Sequence, residues 1–198
     1  RSEGFVVGCV VQPSGADGNG DYITFENSHL NYNVYGISVG NSQARLMNFV
    51  NGTIDHNHTS STTATHGIQL GKPAFKFDNT ELGYCMQLFN YPTLSYGGCP
   101  EFNHCYGESI YRLGDGVVAA SNPSSITFNS CEWVLNAVVH GVPRDIIKNT
   151  GPTIFRGGSI SMTMPSGQET VPNAIFFDVP GTALKFEKTT MVVGSQAS

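Results

Sequence analysis

The sequence has few basic residues and no long apolar run. Lysine and arginine together number 10, against 15 acidic residues, and the formal net charge is −5. Because nucleic acid is bound by a basic surface, this composition argues against a nucleic-acid partner. A membrane-spanning helix needs about 20 consecutive apolar residues, and no stretch approaches that length. We therefore expect neither nucleic-acid binding nor membrane insertion.

The sequence also lacks the cysteine pattern of a disulfide-rich or zinc-binding protein. There are five cysteines, an odd number, and their spacing does not match the paired ligands of a zinc site. Cys105 and Cys131 fall at the same point of two successive repeats described below. We expect both to pack as small apolar residues, and reduced thiols suit assembly in a reducing cytosol. A disulfide between these two is the alternative.

No helical period is found, and a seven-fold phrase recurs instead. Each copy has an apolar residue, any residue, phenylalanine, two further residues, a small residue and then a second apolar position. The phenylalanines return at intervals of 24 to 31 residues, at Phe25, Phe49, Phe77, Phe102, Phe128, Phe155 and Phe186. A repeat of this length is typical of stacked supersecondary units.

Each copy of the phrase predicts two or three short strands joined by turns. Ile126 and Phe128 alternate with polar neighbours, which is the period of a half-buried strand. In three copies asparagine follows two residues after the phenylalanine, and it tolerates the left-handed backbone of a turn. Stacked copies of it can also bond to one another. A second strand is expected later in most copies, for example at 36–40, 67–71 and 136–139.

These strands predict an all-β fold, a parallel β-helix of about seven coils of about 27 residues, stacked about 4.8 Å apart. The chain 1–198 is expected to form a single domain, with 1–20 as a lead-in segment and 21–194 as the coils. Strand-like residues at both ends suggest a piece of a longer protein. A β-sandwich also has many short strands, but it gives no reason for one phrase to return at one interval.

The coil phrase, the low charge and the richness in Ser, Thr, Asn and Gly resemble the right-handed parallel β-helices of the pectate-lyase-like superfamily. Within that group the chain is most similar to phage tailspikes and tail fibres, over roughly residues 21–194. The resemblance implies a homotrimer on a virion tail, assembled in the host cytoplasm, that binds and often cleaves bacterial surface polysaccharide. Fold alone does not carry function, and the Asp-Asp pair of polygalacturonase-like enzymes is absent.

One outward column carries the candidate chemistry. The residue four places after each phenylalanine faces outward, and three successive copies place Glu81, Tyr106 and Glu132 there. Two strand spacings, about 10 Å, separate the glutamates, close to the roughly 6.5–9.5 Å between the acid and base of inverting glycosidases. Asp78 lies in the same coil as Glu81 and is placed to shift its proton affinity. We take Glu81, Glu132 and Asp78 as catalytic candidates and Tyr106 as a sugar-binding one; an ordinary solvated outer face is the alternative.

Two long polar segments, 56–66 and 165–172, are expected to rise on either side of three coils with short turns. They would form a groove with the two glutamates near its floor. The first segment carries His56, His58 and His66, which we assign to substrate binding. A metal is the weaker interpretation of these histidines, and we expect no metal and no cofactor.

Three functional hypotheses result. The first is a virion β-helix that binds bacterial surface polysaccharide, and the second is the same rod acting as an endoglycosidase through its paired carboxylates. The third is a structural spacer or trimerisation rod, for which Tyr32, Tyr35 and Phe89 are candidates for an apolar subunit contact. A free-standing polysaccharide lyase or hydrolase is weaker, because its motifs are missing. The sequence alone does not decide whether the protein is an enzyme.

Overall fold

The structure is a computed structural model of the chain. It describes residues 7–11, 23–33, 35–39, 47–55, 66–70, 75–85, 87–90, 99–116, 125–136, 138–139, 142–143, 145–149, 151–164, 177–181 and 183–195. These residues form short strands and contain no helix.

The strands, in chain order, are β1 (Val7–Val11), β2 (Ile23–Glu26), β3 (Tyr35–Val39), β4 (Met47–Val50), β5 (Thr53–Ile54), β6 (His66–Leu70), β7 (Phe75–Asp78), β8 (Glu81–Leu82), β9 (Gln87–Asn90), β10 (Glu101–Asn103), β11 (Tyr106–Ile110), β12 (Gly114–Gly116), β13 (Ile126–Asn129), β14 (Glu132–Asn136), β15 (Val138–Val139), β16 (Val142–Pro143), β17 (Ile147–Asn149), β18 (Thr153–Arg156), β19 (Ser159–Met164), β20 (Phe177–Asp178), β21 (Leu184–Glu187) and β22 (Thr190–Ser195).

Three parallel sheets run along the molecule. The first stacks β1, β3, β6, β9, β12, β17 and β20, and the second stacks β2, β4, β7, β10, β13, β18 and β21. The third stacks β5, β8, β11, β14, β19 and β22. Because the chain visits the three sheets in rotation, it is a parallel β-solenoid, and the prediction of an all-β parallel coil is confirmed. Strand β1, within the predicted lead-in segment, pairs with β3 and so belongs to the first sheet.

The solenoid has fewer turns than predicted, about four rather than seven. The phrase counts strands of the second sheet, which has seven, whereas a complete turn also includes the segments that join one sheet to the next. After β2 the third sheet is represented only by an isolated bridge between His29 and Thr53. Several joining segments also lie outside the described residues.

The phenylalanines of the phrase form a continuous stack inside the solenoid. All seven are paired in register through the second sheet. From Phe77 to Phe186 the successive ring centroids lie 4.7 to 5.1 Å apart, with interplanar angles of 8° to 16°. Offset stacking of this kind contributes beyond the burial of apolar area. The predicted inward position is confirmed for the five phenylalanines from Phe49 to Phe155, which are buried, whereas Phe25 in the first strand of this sheet is half-buried and Phe186 in the last is exposed.

The turn after each phenylalanine has the left-handed backbone that the asparagines predicted. The φ angles are 50° at Asn27, 53° at Asn51 and 47° at Asn79. The Asn79 side-chain amide donates to Asn51 Oδ1 at 2.9 Å, so this pair forms one rung of the predicted ladder. A second ladder was not predicted: Asn103 donates to Asp78 Oδ1 at 2.8 Å, and Asn129 donates to Asn103 Oδ1 at 2.7 Å.

Cys105 and Cys131 are buried side by side in adjacent coils, as predicted, and both are free thiols. Each thiol donates to backbone carbonyls, that of Cys105 to Asn103 O at 3.4 Å and that of Cys131 to Phe102 O at 3.2 Å. The adjacent Cys131 thiol, and then burial, raise the pKa of Cys105. A protonated, apolar thiol suits this position in the core.

Two sequence-based assignments are wrong. Residues 136–139 do not form the second strand of their coil, because β15 pairs antiparallel with β16 as a small hairpin and β17 takes that place in the first sheet. The Phe128 coil, one of the three expected to have short turns, therefore has this hairpin between β14 and β17. Phe89 is buried rather than exposed, and its ring centroid lies 5.8 Å from that of Phe102.

Candidate functional site

The predicted outward column runs along the third sheet. Its members are paired in register one with the next, in the order His29, Thr53, Glu81, Tyr106, Glu132, Ser159 and Thr190. The side chains of Glu81, Tyr106 and Glu132 are exposed, Tyr106 at 39%. The structure thus brings these three predicted residues together on one face of three successive strands. Their roles stay predictions.

An open groove of about 460 Å³ lies between this column and the left-handed turns that precede the third sheet. It is lined by His29, Asn51, Gly52, Thr53, Asn79, Thr80, Glu81, His104 and Tyr106. The lining thus combines one aromatic ring, one carboxylate, two imidazoles, two amides and two hydroxyls. Such groups can exchange hydrogen bonds with a polyhydroxylated ligand and cover one apolar face of it.

The two candidate glutamates differ in their relation to the groove. Glu81 lines it, and Glu132 does not. Tyr106 pairs with both in register, so their backbones are two strand spacings, or about 10 Å, apart. Within the part of the chain that the structure describes, neither carboxylate forms an ion pair. Both are therefore open to a ligand that lies along the column.

Asp78 has structural partners of its own. It ends β7 on the second sheet, accepts a hydrogen bond from Asn103, and lies 3.3 Å from Lys76 Nζ. No hydrogen bond joins it to Glu81 among the residues described. Its predicted effect on Glu81 stays a prediction, while its observed contacts belong to the asparagine ladder.

The predicted histidine segment is not part of the described site. His56 and His58 lie outside the described residues, as does the segment 165–172. His66 begins β6 and pairs in register with Gln87 in the first sheet. The histidine segment comes after β5, a strand of the third sheet. The groove is instead lined by the turn residues that come before the strands of that sheet, such as Asn51 and Gly52 before β5.

Sequence reasoning missed the imidazoles and amides of the groove. His29 Nδ1 lies 3.0 Å from Thr53 Oγ1, which donates to Asn31 Oδ1 at 2.9 Å. His104 takes the turn position that Asn79 has in the preceding coil, with φ at 51°. Both histidines occupy positions of the repeated phrase: His104 stands where other copies have asparagine, and His29 stands where two other copies have threonine. A titratable residue at such a position was the signal in the sequence that could have pointed to this site.

Tyr106 is held by a carboxylate that the sequence did not single out. Its hydroxyl donates to Glu108 Oε2 at 2.8 Å, and the Tyr84 hydroxyl donates to Glu108 Oε1. The hydrogen bond to Glu108, followed by burial and the charge of Glu108, raises the pKa of Tyr84 to about 12. The pKa of Tyr106 is raised for the same reasons, with further contributions from the charges of Glu81 and Glu132.

Among the described residues no group of three or more metal-ligating side chains gathers at one point, and no helix has the length and apolarity to cross a membrane. No protein-family model, curated protein or solved structure matches the chain.

Proposed function

We propose that this β-solenoid binds a polysaccharide chain in the groove beside the outward column of the third sheet. The observation that carries the proposal is the juxtaposition, in one open groove, of the Tyr106 ring, the Glu81 carboxylate and the side chains of the left-handed turns. Carboxylates accept hydrogen bonds from sugar hydroxyls, and amides both donate hydrogen bonds to these hydroxyls and accept them. An aromatic ring covers the apolar face of a sugar.

A repeating ligand suits a repeating surface. The column offers one outward side chain per strand spacing, about 4.8 Å, and two spacings approximate the length of two sugar residues in an extended chain. A polymer running along the solenoid would meet His29, Thr53, Glu81 and Tyr106 in turn. This favours a polysaccharide over a compact small molecule.

The biological setting that we propose is a virion tail. The resemblance stated above supports a right-handed coil, a homotrimer and attachment to bacterial surface polysaccharide. A trimer would present the groove three times on one rod, and linked sites raise overall affinity without new contacts.

Hydrolysis is the second candidate function, supported by the two exposed glutamates on either side of Tyr106. Across about 10 Å, one carboxylic acid could protonate a glycosidic oxygen while the other carboxylate activates a water molecule on the opposite face. The expected outcome is inversion at the anomeric carbon.

Binding is tested on an array of bacterial surface polysaccharides with the purified protein. Tyr106→Ala should weaken binding about tenfold or more, because an aromatic contact at the centre of a site contributes about 1.4 kcal/mol or more. Glu81→Gln should weaken it as well, whereas Glu26→Gln, the same change at an exposed site on the second sheet, should not. Absence of binding across the array would favour the spacer function instead.

Hydrolysis is tested by incubating a bound polysaccharide with the protein and measuring released reducing ends. If the pair is catalytic, Glu81→Gln and Glu132→Gln should each abolish release while Glu26→Gln retains it. Release that continues in either variant would remove that residue from the reaction. Binding without release by the unaltered protein would leave recognition as the function.

A further inference from the structure

One carboxylate joins the two tyrosines beside the groove. The two oxygens of Glu108 accept one phenol hydrogen bond each, from Tyr106 at 2.8 Å and from Tyr84 in the preceding coil. Tyr106 is exposed, and an exposed tyrosine without such a tether samples several χ1 rotamers. The Glu108 carboxylate restricts that freedom for the Tyr106 ring, which lines the groove.

An irregularity in β11 lies beside Glu108. The register with β14 shifts between Gly107 and Ile110, and Ser109 has a φ of 53°. Alternation along the strand places both Tyr106 and Glu108 on the outer side, and the extra residue returns Ile110 to the core. Bulges of this kind re-aim side chains and are concentrated near functional sites.

In the preceding coil, Gly83 and Tyr84 pack against the backbone of Glu108, beside this irregularity. Tyr84 has a φ of 46°, and its backbone N–H donates to Glu108 O at 2.8 Å. A Cβ on Gly83 would lie 2.6 Å from that carbonyl oxygen and 3.0 Å from Glu108 N. Tyr84 and Ser109, two non-glycine residues with left-handed backbone, are thus both close to Glu108. The lack of a side chain at Gly83 allows the Glu108 backbone to approach this closely. Backbone strain of this kind persists where the surroundings impose it, often at ligand sites.

We propose that Glu108 is a positioning residue that orients the Tyr106 ring for contact with the bound glycan. This inference rests on the proposed function. Because Glu108 accepts the hydrogen bond that the Tyr106 hydroxyl donates, Tyr106 presents its ring face and only an acceptor oxygen to a ligand. A side chain that is already ordered loses less freedom on binding, so Glu108 contributes to affinity without touching the sugar.

The hydrogen bonds to Glu108 also leave a signature that needs no ligand. They are the largest reason that the pKa of Tyr84 is raised to about 12 and that of Tyr106 is raised. The other ionisable groups that act on these phenols are Asp55 and Tyr106 on Tyr84, and Glu81 and Glu132 on Tyr106. Loss of Glu108 should therefore return both tyrosines towards their ordinary pKa near 10.

The first experiment is a titration of tyrosinate absorbance at alkaline pH. Glu108→Ala should lower the pKa of two of the eight tyrosines, Glu108→Gln should lower it by less, and Glu26→Gln should not change the titration. Tyr84→Phe and Tyr106→Phe assign the two tyrosines. A titration of Glu108→Ala that superimposes on that of the unaltered protein would overturn the inference.

The second experiment measures affinity for a polysaccharide found on the array. Glu108→Ala should weaken binding roughly three- to tenfold, as expected for a side chain that must be ordered on binding, with partial rescue in Glu108→Gln. Tyr106→Phe keeps the ring and loses the tether, so it should weaken binding to a similar extent. Combining it with Glu108→Ala should add no further loss, because both changes remove one interaction.

Two outcomes separate this inference from the proposed function. If no polysaccharide binds the unaltered protein, the proposed function fails and the positioning role fails with it. If a polysaccharide binds and Glu108→Ala retains full affinity, only the positioning role fails. Tyr84→Phe serves as the structural control, since Tyr84 does not line the groove and its variant should keep affinity within about twofold.

Discussion

At the scale of single residues, two departures from the repeat, Gly107 and Trp133, are explained by their contact with each other. Gly107 stands where other copies have a large apolar residue, and in the next coil it pairs in register with Trp133, a fully buried indole. A Cβ at Gly107 would lie 2.8 Å from Trp133 Cζ3 and 2.0 Å from the carbonyl oxygen of Leu82. The glycine therefore makes room for the tryptophan and for the close approach of the preceding strand.

Gly107→Ala should destabilise the protein by about 1–3 kcal/mol, the usual cost of inserting a methyl group into a packed core. Urea unfolding followed by the fluorescence of Trp133, the single tryptophan, measures the free energy of unfolding. The matched control is Gly181→Ala, since a Cβ there would meet no atom within 4 Å. Equal stability of the two variants would contradict this account of the glycine.

Tyr84 should contribute stability that depends on alkaline pH. Its folded-state pKa of about 12 is above the unfolded value near 10, so the folded protein holds this proton more tightly. The contribution is fully present below pH 10 and is lost as the pH rises through about 12. The difference in stability between the unaltered protein and Tyr84→Phe should therefore shrink from pH 10 to 12. A difference that stays constant with pH would contradict the role of the Glu108 hydrogen bond.

At the scale of the strand, the second sheet supplies the phenylalanine column of the core, and the third supplies the candidate site. Strands of the third sheet serve both purposes, because adjacent residues of a strand face opposite sides: Trp133 is buried in the core and Glu132 is exposed. Phe102 is fully buried and stacks on Phe77 and Phe128 at 4.9 and 5.0 Å. Phe186, at the last strand of the same sheet, has one ring neighbour in the stack and is 39% exposed.

Phe102→Ala should lower the free energy of unfolding by about 3–5 kcal/mol, because it opens a cavity in the middle of the stack. Phe186→Ala makes the same chemical change where solvent already reaches the ring, so its effect should be much smaller. Both are measured by denaturant unfolding. Similar losses for the two would show that the stack does not carry the stability assigned to it.

At the scale of the whole molecule, the described solenoid leaves apolar side chains exposed on β22. Met191 and Val193 continue the buried columns of Ile160 and Met162, yet they are 43% and 62% exposed. Val192 on the outer face is exposed as well. Exposed apolar residues grouped in this way commonly mark contact surfaces. Association at this edge is therefore an alternative to the lateral contacts of the proposed trimer.

Light scattering distinguishes the two kinds of association. The proposed homotrimer should give three times the 21.3 kDa mass of the chain, with little dependence on concentration. Val193→Lys should leave a lateral trimer intact, because the change is confined to the last strand. A monomer would contradict the trimer, and a concentration-dependent assembly that Val193→Lys abolishes would assign the contact to β22.

The sequence by itself determined the features that repeat. Phe25 to Phe186, the left-handed turns at Asn51 and Asn79, and the outward column through Glu81, Tyr106 and Glu132 all follow from one period. In a stack of parallel strands, equal positions in successive coils are neighbours. An alignment of the phrase is therefore already a map of contacts between coils.

Only the tertiary structure decided where the repeat is interrupted. The groove at the turn, the hairpin of β15 and β16, and the shift in β11 depend on how one coil packs against the next. Glu108 stands at no position of the phrase, so its hydrogen bonds to Tyr84 and Tyr106 could not be predicted. The number of turns was overestimated because the phrase counts one strand per copy, whereas a complete turn also includes the segments that join the three sheets.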